Sequence, residues 1–226
     1  MPKTLPLLVL FFLAVSMTPA SAQRARVGRV SLKLGGSLAQ YRGEDIGGGY
    51  GNLGGFCGGG VIHLPVGSVF SVQPEFLYSQ KGARSQAIMV SKSVGAVGNQ
   101  RLAYVEVPVL VKLRSHTGPF IEFGPTLSYL LSASANFSAP IGGQHDFDNR
   151  SQFNAFVWGY AAGIGYQDAK GLMLGVRYCG GLSPIFTANA YSGYLGINGE
   201  PRIYNQTFQL YAGYILFDRP QAEFPQ

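Results

Sequence analysis

The sequence predicts an all-β fold, an eight-stranded antiparallel up-and-down transmembrane β-barrel. Three observations favour this fold: apolar and polar residues alternate along about eight long segments, short and long connections alternate between those segments, and charged residues are scarce. Of the 226 residues, 46% are hydrophobic, 12% are charged and 32 are glycine. Soluble domains contain about 25% charged residues and about 7% glycine, so this composition is atypical of a soluble domain.

The first 22 residues are interpreted as a secretory signal peptide. Lys3 precedes an apolar run at residues 5–15, and Ala20 and Ala22 provide the small residues of a cleavage site. A basic start, a short apolar core and an Ala-x-Ala ending are typical of such peptides. A membrane-spanning helix needs ~20 apolar residues, which this run does not reach. We therefore expect export of the chain and cleavage after Ala22.

The mature chain is expected to consist of one barrel domain at residues 23–217 and a short periplasmic tail at residues 218–226. Cleavage removes Lys3, one of 17 cationic residues, and none of the 11 acidic residues, which leaves a net charge of +5. These charges form no basic run, so nucleic acid is not an expected partner. Every later apolar run is interrupted within about ten residues, which excludes a helical inner-membrane protein.

The predicted strands are two-faced, with side chains alternating between an apolar face and a polar face. In residues 104–114, the apolar face consists of Val105, Val107, Val109, Val111 and Leu113. The polar face of the same segment carries Glu106, Lys112 and Arg114. The next segment alternates Ile121, Phe123, Leu127, Tyr129 and Leu131 with Glu122, Thr126, Ser128 and Ser132.

The same alternation defines eight segments along the chain. They lie near residues 28–41, 52–64, 68–81, 99–114, 119–135, 152–167, 170–183 and 203–217. Most have ten or more residues, whereas strands of soluble sheets usually have about five or six. A tilted strand of ~9–11 residues is what a bilayer requires. The segments therefore favour a membrane-spanning barrel.

The connections between these segments alternate in length. Three are tight turns, at residues 65–67, 115–118 and 167–170. Four are predicted to be long loops, near residues 42–51, 82–98, 136–151 and 184–202. Short turns on the periplasmic side and long loops on the outer side are typical of outer-membrane barrels. With an even number of strands, both ends of the barrel domain then lie on the periplasmic side.

Aromatic residues are expected to form two girdles at the membrane boundaries. The predicted outer girdle consists of Tyr41, Tyr78, Tyr104, Phe153 and Tyr204. The predicted inner girdle consists of Phe70, Phe120, Tyr166 and Phe217. The alternative interpretation is that these are core aromatic residues of a soluble β-sandwich. Glycines within the strands, such as Gly163 and Gly175, favour a narrow closed barrel, where they relieve crowding and permit bends.

Six charged residues are predicted to point into the barrel and to form an interior salt-bridge network. They are Lys33, Glu75, Glu106, Lys112, Glu122 and Arg177, three of each sign. Buried charges must be paired and hydrogen-bonded, so a balanced set suits the interior of a narrow barrel. The alternative is that Glu75 and Glu106 act together as a catalytic acid and base. Neighbouring cations would keep both glutamates ionised, so the structural role is preferred.

Other chemical signals in the sequence are weak, and no catalytic, cofactor-binding or metal site is predicted. Residues 49–54 match the glycine pattern of dinucleotide-binding loops, but they lack the helix that must follow. His63 and His116 are expected near the periplasmic turns and His145 in an outer loop, which separates the three histidines. Cys57 and Cys179 are expected to point inward from non-adjacent strands and to remain free thiols.

Five segments resemble the PorT-like outer-membrane β-barrel domain proteins of Bacteroidota. They are residues 32–37 (LKLGGS), 72–82 (VQPEFLYSQKG), 102–112 (LAYVEVPVLVK), 120–125 (FIEFGP) and 175–178 (GVRY). The resemblance extends over nearly the whole mature chain. It implies an eight-stranded barrel integral to the outer membrane, in a family whose named member is tied to gliding motility and to protein secretion.

Three hypotheses for function follow from these observations. The first is a non-enzymatic envelope protein with a structural, docking or secretion- and motility-associated role. The second is a lipid-modifying or proteolytic barrel enzyme that uses His145 and a serine of an outer loop. The third is a narrow channel. Outer-membrane lipid is an expected partner, together with other envelope or secretion proteins, and no cofactor is expected.

Overall fold

The computed structural model describes five stretches of the chain, residues 28–46, 50–89, 95–139, 143–187 and 201–217. The predicted signal peptide and the predicted tail at residues 218–226 lie outside the described residues. Among the described residues, no helix has both the length and the apolar character needed to cross a membrane.

Ten β-strands and one short 3-10 helix, Arg150–Gln152, make up the regular structure of the described residues. The strands are β1 (Arg29–Gly43), β2 (Tyr50–Gly51), β3 (Leu53–Pro65), β4 (Phe70–Met89), β5 (Gly95–Arg114), β6 (Pro119–Ala139), β7 (Gly143–Asp148), β8 (Phe156–Gln167), β9 (Leu172–Gly181) and β10 (Ile203–Phe217). Two are short additions to the end of the barrel opposite its short turns, which we call the outer end because outer-membrane barrels have short turns on the periplasmic side: β2 pairs with β4, and β7 pairs with β6.

The other eight strands of the described chain form a closed antiparallel ring. Their order is β1, β3, β4, β5, β6, β8, β9 and β10, and each pairs with the next along the chain. The ring closes where β10 pairs with β1, from Val30 opposite Phe217 to Gly43 opposite Ile203. Closure leaves no sheet edge, so the backbone groups of every wall strand have partners inside the bilayer. The predicted eight-stranded up-and-down barrel is confirmed.

The connections follow the predicted alternation at one end of the barrel but not fully at the other. Short turns join β3 to β4, β5 to β6 and β8 to β9. At the opposite end, most of the predicted loop at 82–98 is strand, since β4 and β5 remain paired as far as Met89 opposite Gly95. Much of the predicted loop at 136–151 is also strand, in β6 and β7. Small and polar residues suggested loops there, but continued cross-strand hydrogen bonding keeps the backbone extended.

The outer surface of the ring is apolar along its length. Leu34, Phe156 and Leu210 each expose about two thirds of their surface, at 70%, 65% and 66%. Residues beside them in sequence, such as Lys33 and Gln209, are buried inside the ring. A soluble sheet buries its apolar face, whereas this ring buries its polar face, as expected of a barrel surrounded by lipid.

A β-bulge in β6 changes which residues of that strand face inward. Ala103 lies opposite Ser132 and Tyr104 lies opposite Leu130, so Leu131 is an additional residue in β6. Leu131 and Ser132 both face outward, and the inward series resumes at Ala133. The prediction that Ser132 lies on the polar inner face is therefore wrong. One inserted residue reverses the faces of everything that follows it.

The aromatic girdles differ from the prediction at four positions. Tyr41, Tyr104, Phe120 and Phe153 are buried inside the barrel, with at most 6% of their surface exposed. The inward orientation of Tyr41, Tyr104 and Phe120 is explained by alternation along their strands. Tyr104, for example, shares the inward face of β5 with Glu106. The remaining members face outward, and other aromatic side chains join them on the outer surface: Tyr129, Phe156, Trp158, Tyr160 and Phe208.

An apolar cluster fills the outer half of the barrel interior, and we call it the outer apolar plug. It consists of Tyr41, Ala83, Leu102, Tyr104, Leu130, Ala133, Phe153, Val157, Ile185, Phe186 and Ile203. Ile185 and Phe186 come from the segment after β9, which lies across the barrel end. Its backbone is held there, since Ile185 N–H donates to the Ile203 carbonyl at 2.9 Å and Asn154 N–H donates to that of Ile185 at 2.8 Å. Apolar side chains therefore occupy the outer half of the lumen.

Inward glycines make room for the large side chains of the lower interior. A Cβ atom on Gly175 would lie 2.6 Å from the ring of Tyr211, and one on Gly165 would lie 2.4 Å from the ring of Phe120. Narrow barrels commonly combine small and large residues at interior positions in this way. Glycine at 175 is therefore required by the space that Tyr211 occupies.

We expect Gly175→Val to destabilise the barrel by about 1–3 kcal/mol, as overpacking of a filled interior usually does. The measurement is the urea midpoint of the refolded protein in detergent. Gly36→Val is the matched control, because a Cβ at Gly36 meets no atom within 4 Å. Equal midpoints for the two variants would contradict this account of the interior.

Candidate functional site

The candidate site is the charged lower half of the lumen, below the outer apolar plug. All six charged residues predicted to point inward lie there, and none exposes more than 3% of its surface. Their strands place them at alternate positions, so period-two spacing alone brings their side chains to the interior. The six do not, however, form one network.

Four of the six residues form a single cluster, which we call the central ion cluster: Lys33, Glu75, Glu122 and Arg177. Arg177 donates two hydrogen bonds to Glu75, from Nη1 to Oε2 at 2.7 Å and from Nη2 to Oε1 at 2.8 Å. It also donates from Nε to Glu122 Oε1 at 2.8 Å. Lys33 Nζ lies 2.6 Å from Glu75 Oε1. The planar guanidinium thus links two carboxylates with the forked geometry that suits arginine.

The central ion cluster crosses the full width of the barrel. Arg177 is on β9 and Glu75 is on β4, and these strands are four places apart in the ring of eight. Lys33 and Glu122 approach from β1 and β6, so the cluster links four strands distributed around the ring. These side chains therefore close the lumen near its middle.

Tyr211 belongs to the central ion cluster, although it was not among the residues predicted from the sequence. Its hydroxyl donates to Glu122 Oε1 at 2.8 Å, and Lys33 Nζ lies 4.2 Å from the centre of its ring. A cation over an aromatic face is a favourable contact when both are removed from water. Alternation along the strand could have predicted that Tyr211 points inward, because it shares the inner face of β10 with Gln209.

Glu106 lies in a second, smaller cluster. It forms a salt bridge with Lys81 and accepts a hydrogen bond from Ser128 Oγ at 2.9 Å. Lys81 is 7% exposed and was not among the predicted inward charges. Its position follows from the alternation that also directs Glu75 and Ser79 inward, but the predicted strand ended at Lys81.

Lys112 is separate from both clusters. Its Nζ lies 3.0 Å from Gln167 Oε1, 3.4 Å from Met173 Sδ and 3.7 Å from the centre of the Phe120 ring. Glu122 is directly opposite Lys112 in the β5–β6 register, but the Glu122 carboxylate is bonded to Arg177 and Tyr211. Among the described residues, Lys112 forms no salt bridge, so its assignment to a common network of six is wrong.

The glutamates of the proposed acid–base pair are not brought together. Glu75 is bonded to Lys33 and Arg177, whereas Glu106 is bonded to Lys81 and Ser128. Each carboxylate is buried and has a cationic partner. In this geometry each carboxylate accepts hydrogen bonds from its own partners inside the lumen. The two glutamates therefore do not share a proton.

A serine and a histidine also meet inside the barrel, near its periplasmic end. Ser31 Oγ lies 2.7 Å from His63 Nε2, and the side-chain amide of Gln73 donates to His63 Nδ1 at 2.8 Å. A histidine whose Nδ1 accepts this bond carries its proton on Nε2 and donates it to Ser31. His63 in this form does not activate Ser31 as a nucleophile, and Ser31 has no exposed surface.

The remaining candidates are distributed over the barrel. His116 lies on the exposed turn between β5 and β6, and the side chain of His145 lies outside the described residues. Cys57 and Cys179 are buried free thiols. In the part of the chain that the structure describes, no three His, Cys, Asp or Glu side chains are grouped to hold a metal ion.

A closed meander with an apolar outer surface and a charged interior defines the class of the protein, a transmembrane β-barrel. Residues 21–187 match the family model of the outer membrane protein beta-barrel domain. The chain belongs to this family, and its location is the outer membrane. No curated protein matches the sequence.

Solved barrels resemble this chain at low sequence identity. Ail, the attachment invasion locus protein of Yersinia pestis, is 14% identical, with coverage of 83% of this chain and 97% of Ail and a TM-score of 0.42. Neisserial surface protein A is 10% identical, with coverage of 84% and 99% and a TM-score of 0.46. OprG of Pseudomonas aeruginosa is 9% identical, with coverage of 84% and 96% and a TM-score of 0.35.

We expect Glu106→Ala to destabilise the barrel by about 3–5 kcal/mol, because it leaves the buried Lys81 ammonium without a carboxylate. The urea midpoint measures the change. The double variant Lys81→Met, Glu106→Leu removes both charges and is expected to regain at least half of the loss. A double variant no more stable than Glu106→Ala would show that packing, and not the unpaired charge, determines the cost.

Glu75→Ala is expected to cost at least as much, because Glu75 is bonded to both Lys33 and Arg177. Glu44→Ala provides the matched control: Glu44 pairs with Arg202 at 2.8 Å, and both side chains are more than half exposed. Exposed pairs contribute about 0–1 kcal/mol. Similar urea midpoints for Glu75→Ala and Glu44→Ala would contradict a stabilising role for the central ion cluster.

Proposed function

We propose that this protein is a non-enzymatic outer-membrane barrel that serves as an envelope structural or docking component. The observation that carries the proposal is the closure of the lumen by side chains from several strands. Arg177 crosses the barrel to Glu75, and the outer apolar plug lies above this contact. A barrel filled in this way presents its rims and loops to partners and offers no wide aqueous path.

A secretion- or motility-associated role is the more specific form of this proposal. It is supported by the resemblance of residues 72–82 and 102–112 to PorT-like barrel proteins of Bacteroidota. In such a role the barrel would anchor or orient other envelope proteins. Their contacts would involve the exposed turns at the periplasmic end or the extended strands at the outer end.

Two other functions, a narrow channel and a barrel enzyme, are alternatives to the docking proposal. A narrow channel would need a continuous water-filled path, against which the central ion cluster and the outer apolar plug both argue. A barrel enzyme would need an accessible nucleophile, whereas the Ser31–His63 contact is buried. An enzyme that uses His145 and a serine of an outer loop is the other alternative. It is tested by measuring lipase and protease activity and asking whether His145→Ala abolishes it.

Docking is tested by site-specific photo-crosslinking in cells of the native organism. A photoreactive amino acid replaces His116 on a periplasmic turn or Asp148 at the outer end, both of which are exposed. We expect a discrete protein adduct from at least one of the two positions, with the partner identified by mass spectrometry and recovered in a reciprocal crosslink. Leu174 is the control position, because it is on the lipid-facing surface and is 56% exposed.

The channel alternative is tested by planar-bilayer recording of the purified protein, with a wide porin as the positive control. We expect no large single-channel steps from a lumen filled with buried side chains. Reproducible large steps from pure protein would overturn the docking proposal in favour of a channel.

In the crosslinking experiment, adducts from Leu174 identical to those from His116 and Asp148 would count against specific docking.

A further inference from the structure

A polar pocket opens at the periplasmic mouth of the barrel. Its volume is about 440 Å³, and it lies between the turn at residues 168–171, the end of β10, and residues from β1 and β5. Arg29 of β1 and Arg114 of β5 line it, and Lys170 contributes from the turn. The pocket is therefore bordered by cationic side chains from three parts of the barrel wall.

The lining of this pocket is electrically unbalanced. Apart from Arg29, the lining residues Arg114 and Lys170 contribute two positive charges, and Asp168 is the one acidic residue of the lining. Asp168 already accepts a hydrogen bond from the backbone N–H of Leu172, at 2.8 Å, within the turn. Neither Arg114 nor Lys170 forms a salt bridge with any described residue. The mouth thus has an excess of positive charge.

The floor of the pocket adds to this excess. Gln167 lines the pocket, and its Oε1 accepts the hydrogen bond from Lys112 Nζ at 3.0 Å. Lys112 is 2% exposed. The three buried carboxylates of the described lumen, those of Glu75, Glu106 and Glu122, are bonded to other cations. A buried ammonium without a carboxylate is costly, and an anion in the pocket would reduce that cost.

We propose that the periplasmic mouth is a binding site for a phosphate group. Arg114 supplies a forked donor and Lys170 a mobile point charge, the two kinds of contact that proteins use for phosphate. The amide N–H groups of Gln167 are further donors at the floor, because its oxygen is occupied by Lys112. This inference does not depend on the docking role.

The position of the pocket indicates two sources for the phosphate. Tyr166, Tyr214 and Phe217 expose aromatic surface around this end of the barrel, at 52%, 51% and 67%. Aromatic residues of barrels lie at the level of the lipid head groups. The phosphate therefore comes either from the periplasmic solution or from the head group of a phospholipid in the inner leaflet.

The first experiment titrates the refolded full-length barrel, in a phosphate-free maltoside detergent, with inorganic phosphate by calorimetry. Saturable binding is expected, and Arg114→Gln, Lys170→Gln is expected to weaken it at least tenfold. Arg101→Gln, Arg202→Gln is the matched control, since it removes the same charge at the outer end and should leave the affinity unchanged. Heat-modifiable gel migration checks that each variant is folded.

The second experiment distinguishes the two sources. The barrel is released from nanodiscs of phosphatidylglycerol and examined by native mass spectrometry for retained lipid. Retention that is lost in the Arg114→Gln, Lys170→Gln variant but kept in the control identifies a phospholipid head group as the source. Saturable phosphate binding without retained lipid identifies soluble phosphate. Neither binding nor retention, or the same values in both double variants, would overturn the proposed site.

Discussion

The guanidinium of Arg177 is the contact on which the interior of this barrel depends. It lies between Glu75 and Glu122, on strands at different sides of the ring, and its hydrogen bonds link those strands through the lumen. The inner wall is shaped around it, because glycines at positions 163 and 175 leave space for the carboxylate of Glu122 and the ring of Tyr211. Replacing any one of these residues affects the packing of the others.

The barrel reverses the usual arrangement of polar and apolar residues, and this explains why so many charges are buried. Its outer surface contacts lipid, so ionisable residues of the wall strands must face inward or lie near the rims. Inside, each charge requires a partner, since unpaired charges in a low-dielectric interior are destabilising. The lower lumen meets this requirement with ion pairs for its buried charges other than Lys112, whereas the outer half avoids it with apolar side chains.

Strand parity predicted much of this architecture from the sequence. Period-two alternation gave eight strands, with bounds near the observed ones except at the outer ends of β4, β5 and β6, and directed Lys33, Glu75, Glu106, Lys112, Glu122 and Arg177 inward. Parity shows which face a side chain occupies but not which partner it meets across the ring. Those partners depend on strand stagger and closure, which is why Lys112 was assigned to the wrong group. Lys81 was missed because the predicted strand ended at that residue, although its parity is inward.

Local irregularities account for the other differences. The bulge at Leu131 interrupts the alternation without a glycine or proline to mark it, so Ser132 was placed on the wrong face. Aromatic residues near strand ends suggested girdles, but Tyr41 and Tyr104 have inward parity and pack into the outer apolar plug. Backbone pairing beyond the membrane, as in the outer part of β4 and β5, has no distinct compositional signal.

The unequal lengths of the wall strands give the outer rim a high side and a low side. β4, β5 and β6 have 20, 20 and 21 residues, whereas β8 and β9 have 12 and 10. At about 3.3 Å per residue, the extra length of about nine residues corresponds to roughly 30 Å along the strands. Among the described residues, a molecule that approaches from the cell exterior therefore meets a sheet-like wall on the side of β4, β5 and β6. Contact with that wall would fix how such a molecule is rotated about the barrel axis.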